Sequence, residues 1–142
     1  MNHTGLTLVE VLIVVLIMAI LAVIVVPGFS DASQEARNSA LAKDLQTLRR
    51  QIGLFKNQHA GLFPGQGGLD IAEQLTGKTD VQGSVTADGA YGPYLLIFPT
   101  NPFTETNTIE VGTGEPGGGN FGWYYNPSTG DIWPDDDGHK HL

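Results

Sequence analysis

The chain has 142 residues, no cysteine and a formal net charge of −8 at pH 7. This length is enough for one domain and a membrane anchor, and the lack of cysteine excludes disulfides and thiolate metal sites. Residues 60–142 carry two basic and eleven acidic groups. Binding of phosphates needs clustered Lys and Arg, so this balance argues against a nucleic-acid partner.

The first predicted element is an apolar helix from Leu6 to Val26, in which no polar side chain follows Val11. Its 21 residues would extend about 31 Å as a helix, close to the roughly 30 Å hydrocarbon core of a bilayer. A buried core helix would not need so long an apolar run. A cleaved secretory signal would have a basic start and a small-residue cleavage site behind the run. The pattern therefore indicates a retained transmembrane helix behind a short leader.

Glu10 is the single acid within this segment. An acid at membrane depth is costly and is a candidate functional residue. Glu10 could be solvated at headgroup depth, or it could pair with a cation. The first basic residue of the chain is Arg37, so the nearer cation would be a new amino group at Leu6, created if the chain is cut after Gly5.

The stretch Gly5-Leu6-Thr7-Leu8-Val9-Glu10, the aliphatic run and Pro27 resemble the N-terminus of the type IV pilin superfamily, which includes the pseudopilins of type II secretion. The resemblance implies that a membrane peptidase cuts between Gly5 and Leu6 and methylates the new N-terminus at Leu6. It also implies that Glu10 pairs with the N-terminus of a neighbouring subunit during filament assembly. The leader would then lie in the cytoplasm and the C-terminal domain in the periplasm.

A second helical stretch is predicted over residues 30–59. Pro27 predicts a kink between the two stretches, with a full stop and a new helix capped by Ser30-Asp31 as the alternative. Apolar positions follow one another at intervals of four and three residues, which places them on one face of a helix. This face either packs under the C-terminal domain or forms a short coiled-coil seam. Its members are Leu41, Leu45, Leu48, Ile52, Phe55 and His59.

The C-terminal half is predicted to contain one short helix and a few strands. The helix covers Leu69–Leu75 and ends at Gly77. The mostly irregular chain over 76–102 is expected to tuck Leu96-Ile97-Phe98 against the long helix. Strands are predicted over 108–111, 120–125 and 131–133, and the glycines at 112, 114 and 117 are interpreted as a hairpin loop rather than a dinucleotide motif. The fold class is therefore α+β, a long N-terminal helix packed against a small antiparallel sheet with long loops.

Short segments such as Gly92-Pro93-Tyr94-Leu95 and Gly122-Trp123-Tyr124-Tyr125-Asn126 are similar to segments of major pseudopilins. The resemblance implies a leader over 1–5, a transmembrane and filament-core helix over 6–29, an amphipathic spine over 30–59 and a globular periplasmic domain over 60–142. The expected role is structural rather than enzymatic, in a periplasmic filament that drives export by type II secretion. A type IV pilus subunit for adhesion, motility or DNA uptake is the alternative.

The same resemblance suggests partners and one possible cofactor. The partners would be other copies of the chain, the prepilin peptidase and methyltransferase, the inner-membrane assembly platform, minor pseudopilins, and membrane lipid before assembly. The cofactor would be calcium, because calcium binds six to eight oxygens and the C-terminal stretch is rich in carboxylates. The candidate ligands are Asp131, Asp135, Asp136 and Asp137; a solvated acidic tail is the other interpretation.

Overall fold

The computed structural model describes residues 7–142, apart from the side chains of residues 24–31. The helices are α1 (Leu8–Gln58), a short 3-10 turn (Gln66–Gly68) and α2 (Ile71–Thr76). The strands are β1 (Ile109–Val111), β2 (Trp123–Asn126) and β3 (Asp131–Pro134). The chain divides into two compact units, one ending at Asn38 and the other covering Ser39–Leu142.

Helix α1 runs through position 27 as one element of 51 residues. The alternative of a full stop at Pro27 with a new helix beginning near Ser30 is therefore not what the chain adopts. A proline can be accommodated inside a helix at the loss of one backbone hydrogen bond. The kink itself stays a prediction, because the side chain of Pro27 lies outside the described residues.

In the first unit, every residue from Thr7 to Val23 is exposed. These residues are almost all aliphatic, so this unit presents an apolar surface on all sides of the helix. A helix that is apolar all round is normally buried by something other than water. Within the part of the chain whose side chains are described, no helix is both long and apolar enough to cross a membrane.

The second unit forms its core on the predicted stripe of α1. All six stripe residues are buried, and the five hydrophobic ones belong to one cluster with residues of α2, the loops and the sheet. The prediction that the stripe packs under the C-terminal domain is confirmed. The other buried members of this cluster are Ile71, Leu75, Tyr94, Phe98, Trp123, Tyr125 and Ile132.

Helix α2 begins and ends close to the predicted positions. The Asp70 carboxylate accepts a hydrogen bond from the Glu73 N–H at 2.9 Å, and the Gly77 N–H donates to the Glu73 carbonyl at 2.8 Å. An aspartate that bonds the amide three residues on is a common helix N-cap. These two local bonds explain why so short a helix could be placed from sequence.

The α+β class is confirmed, with a long helix and a small sheet, but the sheet is mixed rather than antiparallel. Its strand order is β1-β2-β3. Strands β2 and β3 pair antiparallel across the turn at 127–130, whereas β1 pairs parallel to β2, with Ile109 opposite Trp123. The glycine-rich segment 112–122 is therefore not the expected hairpin loop. It carries the chain back to the start of the sheet, which a parallel pair requires.

The segment 94–98 also differs from the prediction. Phe98 is buried as expected, but Leu96 is 98% exposed and Ile97 is 74% exposed. The two side chains therefore do not pack against α1. Tyr94 and Phe98 already occupy the core on either side and Leu95 packs partly against it, so Leu96 and Ile97 form the outer tip of the loop.

Candidate functional site

The start of α1 places Glu10 against Thr7. The Thr7 N–H and the Thr7 hydroxyl both donate to Glu10 Oε2, at 2.9 and 2.8 Å, and the Glu10 N–H lies 3.3 Å from the Thr7 hydroxyl oxygen. This reciprocal arrangement is a capping box, in which the residue before a helix and the third residue of that helix satisfy each other's backbone amides. The acid is thereby held at the N-terminal end of the helix dipole, where negative charge is favourable.

The partner of Glu10 in this arrangement is a neutral side chain. Among the residues that the structure describes, the ion pairs are His139–Asp136 and Lys140–Asp137, both in the C-terminal tail. Glu10 and Thr7 are both exposed, in a chain whose next sixteen side chains are apolar. A single carboxylate on such a surface becomes costly once that surface is buried, unless a cation is buried beside it.

Sequence reasoning missed the role of Thr7, although the signal was present. Thr7-Leu8-Val9-Glu10 is the Ser/Thr-x-x-Glu pattern that marks the start of a helix. The predicted cleavage and methylation residues, Gly5 and Leu6, lie outside the described residues. Their roles stay predictions.

The second candidate site is the acidic stretch after β3. The side chain of Asp135 is completely buried. Its carboxylate accepts hydrogen bonds from the N–H groups of Gly117, Gly118 and Phe121, at 2.8, 2.9 and 3.1 Å. Its backbone carbonyl accepts a further bond from Gly119 at 2.7 Å. Asp135 therefore holds the glycine-rich connection between β1 and β2 in place.

Asp136 and Asp137 have other partners. Asp136 contacts His139 Nδ1 at 2.6 Å and Asn101 Nδ2 at 3.4 Å. Asp137 accepts a hydrogen bond from Lys140 Nζ at 2.8 Å, and this bond lowers the pKa of the Asp137 carboxyl and raises the pKa of the Lys140 ammonium. Each carboxylate is thus bonded to a donor of its own chain.

Asp131 lies at the exposed start of β3, at the opposite end of the strand from Asp135. In the described part of the chain, no group of three or more His, Cys, Asp or Glu side chains is placed to hold a metal ion. Asp135, Asp136 and Asp137 follow one another in the chain, but in the structure each carboxylate contacts different partners. Calcium binding by these four aspartates stays a prediction.

Comparisons with known proteins place the first site in context. Residues 1–26 match the family described as "Prokaryotic N-terminal methylation motif". The chain therefore carries the N-terminal methylation motif of type IV pilin-like proteins. The match ends at the residue before Pro27, so it covers the predicted leader and the apolar run, including Thr7 and Glu10.

The chain is also similar to "ComG operon protein 3 homolog" from Bacillus licheniformis, with 29% identity over 70 residues. The aligned part is 49% of this chain and 72% of that relative. No solved structure matches the chain significantly.

Proposed function

We propose that the chain is a structural subunit that polymerises into a pilin-like filament through the apolar part of α1. The observation that carries this proposal is the exposed apolar helix with a single acid at its start. Such a surface has two stable environments, a lipid bilayer and a bundle of identical helices. The methylation motif over residues 1–26 supports the second environment, since type IV pilin-like proteins are first anchored in a membrane and then assembled.

Processing precedes assembly in this proposal. The prepilin peptidase cuts after Gly5, and the same enzyme methylates the amino group of Leu6. Leu6–Val26 anchors the subunit in the inner membrane by a single pass, with the C-terminal domain in the periplasm. The assembly platform and minor pseudopilins then bring subunits together. The residues beyond Gly5 become the filament, and residues 1–5 are lost.

Glu10 aligns neighbouring subunits. In the single chain the Glu10 carboxylate accepts hydrogen bonds from Thr7, which is neutral. Thr7 therefore satisfies the carboxylate oxygen but does not neutralise its negative charge. When α1 enters a bundle of its copies, the Leu6 amino group of a neighbour supplies the compensating charge. A buried ion pair of this kind contributes little net stability but strongly penalises any register in which one member is unpaired.

The finer assignment within this class is the major pseudopilin of a type II secretion system, whose short periplasmic filament drives protein export. Its support is the similarity of the segments 92–95 and 122–126 to segments of major pseudopilins. The alternative is a subunit of a type IV pilus for adhesion, motility or DNA uptake. The similarity to a ComG operon protein does not favour secretion over this alternative. Neighbouring genes distinguish the two functions. Genes for a secretin and for secretion-type minor subunits would indicate a secretion system, and a gene for a retraction motor would indicate a type IV pilus.

The test of the proposal is assembly by Glu10 variants. We expect Glu10→Ala and the isosteric Glu10→Gln to remain in the membrane fraction and to be processed, yet to yield no filaments in sheared material viewed by electron microscopy. Gln keeps the shape and hydrogen bonding of Glu but not its charge, so failure of both variants assigns the defect to charge. Normal filaments from Glu10→Gln would remove the proposed role of Glu10.

A further inference from the structure

The loop tip at Leu96 and Ile97 is an exposed apolar pair held in a defined position. On one side, the N–H groups of Tyr94 and Leu95 both donate to the Leu75 carbonyl at 2.9 Å. On the other side, Phe98 is buried and the indole N–H of Trp123 donates to the Pro99 carbonyl at 2.8 Å. The tip is therefore fixed to the core at both ends, and its two side chains are exposed. Because the backbone of the tip is already ordered, binding of a partner would cost little further conformational entropy.

The same unit carries an apolar groove between the start of α2 and strand β1. Its volume is about 540 Å³, which is ample for two aliphatic side chains. Leu96 is 98% exposed, so it does not fill the groove of its own chain. The apolar residues that line the groove are Leu69, Ile71, Ala72, Ile109, Val111 and Phe121.

We propose that the Leu96-Ile97 tip of one subunit inserts into the α2–β1 groove of the next copy in the filament. This inference rests on the proposed filament function, because it needs copies held side by side. Tip and groove are different surfaces of one chain, so the contact can repeat head to tail from one copy to the next. A head-to-tail contact gives the open helical arrangement of a filament when the rotation between copies does not close into a ring.

An anionic lipid surface is a poor partner for this tip. Anionic membrane surfaces attract Lys and Arg. Residues 79–139, which include the tip, contain nine acidic residues and no Lys or Arg. A tip in such a segment would approach an anionic bilayer against electrostatic repulsion. A neighbouring copy is acidic as well, and Asp70 lines its groove, so the tip enters that groove only where the α1 helices hold the copies together.

The small size of the contact also fits an assembled state. Two side chains in a groove bury far less than the roughly 1,000 Å² that a stable isolated complex needs. The contact would therefore be sparsely populated between free subunits. It becomes populated when the α1 helices already hold the neighbours close, because the second contact is then made at a high effective concentration.

The lack of cysteine in the chain allows a direct test by thiol cross-linking in assembled filaments. The test variant is the full chain with Ile97→Cys and Val111→Cys, one thiol at the tip and one in the groove. The matched control is Ile97→Cys with Val81→Cys, because Val81 and Val111 are 48% and 53% exposed and Val81 lies outside the groove. We expect a ladder of cross-linked multimers from the test pair and about tenfold less from the control pair.

The ladder should have steps of the chain mass, 15.2 kDa for 142 residues before processing. Dimers from Ile97→Cys alone would mean that two tips meet each other and would overturn the proposal. So would a band that is not a multiple of the chain mass, which would identify a different partner. Filaments that form normally but give no ladder would overturn this inference and leave the proposed function standing, whereas absence of filaments from the unmodified chain would remove both.

Substitution of the tip provides an independent readout. Leu96→Asn should leave folding unchanged, since its side chain is almost fully exposed, and should lower the yield of sheared filaments about tenfold. Val81→Asn is the matched control and should assemble normally. Unchanged filament yield from Leu96→Asn would contradict the proposal, and a circular dichroism melt of both variants separates assembly from folding.

Discussion

Thr7 and Glu10 form a capping box at the start of α1, and the proposed filament would give the Glu10 carboxylate a second partner. In the single chain, the two hydrogen bonds from Thr7 to one carboxylate oxygen complete the first turn of α1. The proposed filament replaces that neutral partner by a cation from a neighbouring copy. Because the Thr7 N–H can stay bonded to Glu10 while the new partner approaches, the exchange does not have to unwind the helix start.

The Thr7 hydroxyl should stabilise the first turn of α1. Thr7→Val removes the oxygen that faces the Glu10 N–H, and loss of such a cap typically costs about 1 kcal/mol. We expect the Glu10 amide to exchange with solvent about fivefold faster, measured by hydrogen exchange of the full chain in micelles. Thr7→Ser keeps the hydroxyl and should match the unmodified chain; equal exchange in Thr7→Val would show that the cap is not populated.

Asp135 should be a structural residue of the second unit. Asp135→Asn places an amide NH₂ where the carboxylate now accepts from three N–H groups, so at least one buried donor loses its partner. We expect the free energy of unfolding to fall by about 2–4 kcal/mol, measured by denaturant titration. Asp131→Asn changes the same charge at an exposed position and should have little effect. If the two variants were equally stable, the three amide bonds would not be formed in solution.

At the scale of elements, α1 combines two chemically different halves in one helix. In the first unit its described side chains are exposed on every face up to Val23. In the second unit only one face is buried, and Arg49 on a neighbouring face donates from Nη2 to the Ile132 carbonyl at 3.1 Å. The first half therefore needs an environment from outside the chain, whereas the second half obtains its environment from the chain itself.

The buried face of α1 should dominate the stability of the second unit. Leu48 is completely buried and Leu54, on the same helix, is 42% exposed. Leu48→Ala should lower the free energy of unfolding by about 2–5 kcal/mol, because it leaves a cavity as well as removing apolar contact. Leu54→Ala should cost less than about 1 kcal/mol. Chemical denaturation of the full chain in detergent measures the free energy of unfolding of both variants. Equal decreases in the two variants would contradict the assignment of Leu48 to the buried face of α1.

His59 lies at the C-terminal end of this face, and its residue type did not indicate how its ring is packed. Its ring is completely buried, stacks on Phe55 with 3.8 Å between the ring centroids, and bonds the Phe55 carbonyl and the Thr79 hydroxyl at 2.8 and 3.0 Å. The stripe pattern placed His59 at the end of this face but did not indicate a partner for its ring. The loop carrying Thr79 and Tyr91 instead closes over it, which joins the end of α1 to the rest of the second unit.

At the scale of the whole molecule, residues 7–23 of the first unit present an apolar surface, whereas the loops of the second unit are rich in acidic residues. In the proposed filament, the second unit would offer further copies its Leu96-Ile97 tip and its α2–β1 groove. Repulsion between acidic units and attraction between tip and groove would together limit the number of ways in which copies can neighbour each other.

Processing is the prediction that belongs to the whole molecule. Mass spectrometry of the mature protein should show an N-terminus at Leu6 that is heavier by one methyl group. Gly5→Lys should block cleavage and leave a chain that still contains residues 1–5. An intact Met1 in a host that has the peptidase would contradict the pilin-like interpretation, even if the fold of the second unit is as described.

Features encoded by neighbouring residues could be predicted from the sequence. The apolar run, the six-residue stripe and the approximate position of α2 all depend on patterns of a few residues, because helix periodicity and capping act over one or two turns. The acid at Glu10 was also evident, since it interrupts an apolar segment. For the same reason the class of fold could be stated without coordinates, whereas the role of Glu10 in assembly was inferred from the resemblance and stays a prediction.

Features that depend on distant parts of the chain were decided by the tertiary structure. Asp135 meets its amide donors 14 to 18 residues away, so its role could not be separated from that of its acidic neighbours. Strand β1 is parallel to β2 because the glycine-rich connection returns along the sheet. Leu96 and Ile97 are exposed because Tyr94 and Phe98 already fill the core beside them. The sequence alone thus determined which segments are apolar, and the competition for space in the core determined which apolar residues remain available to a partner.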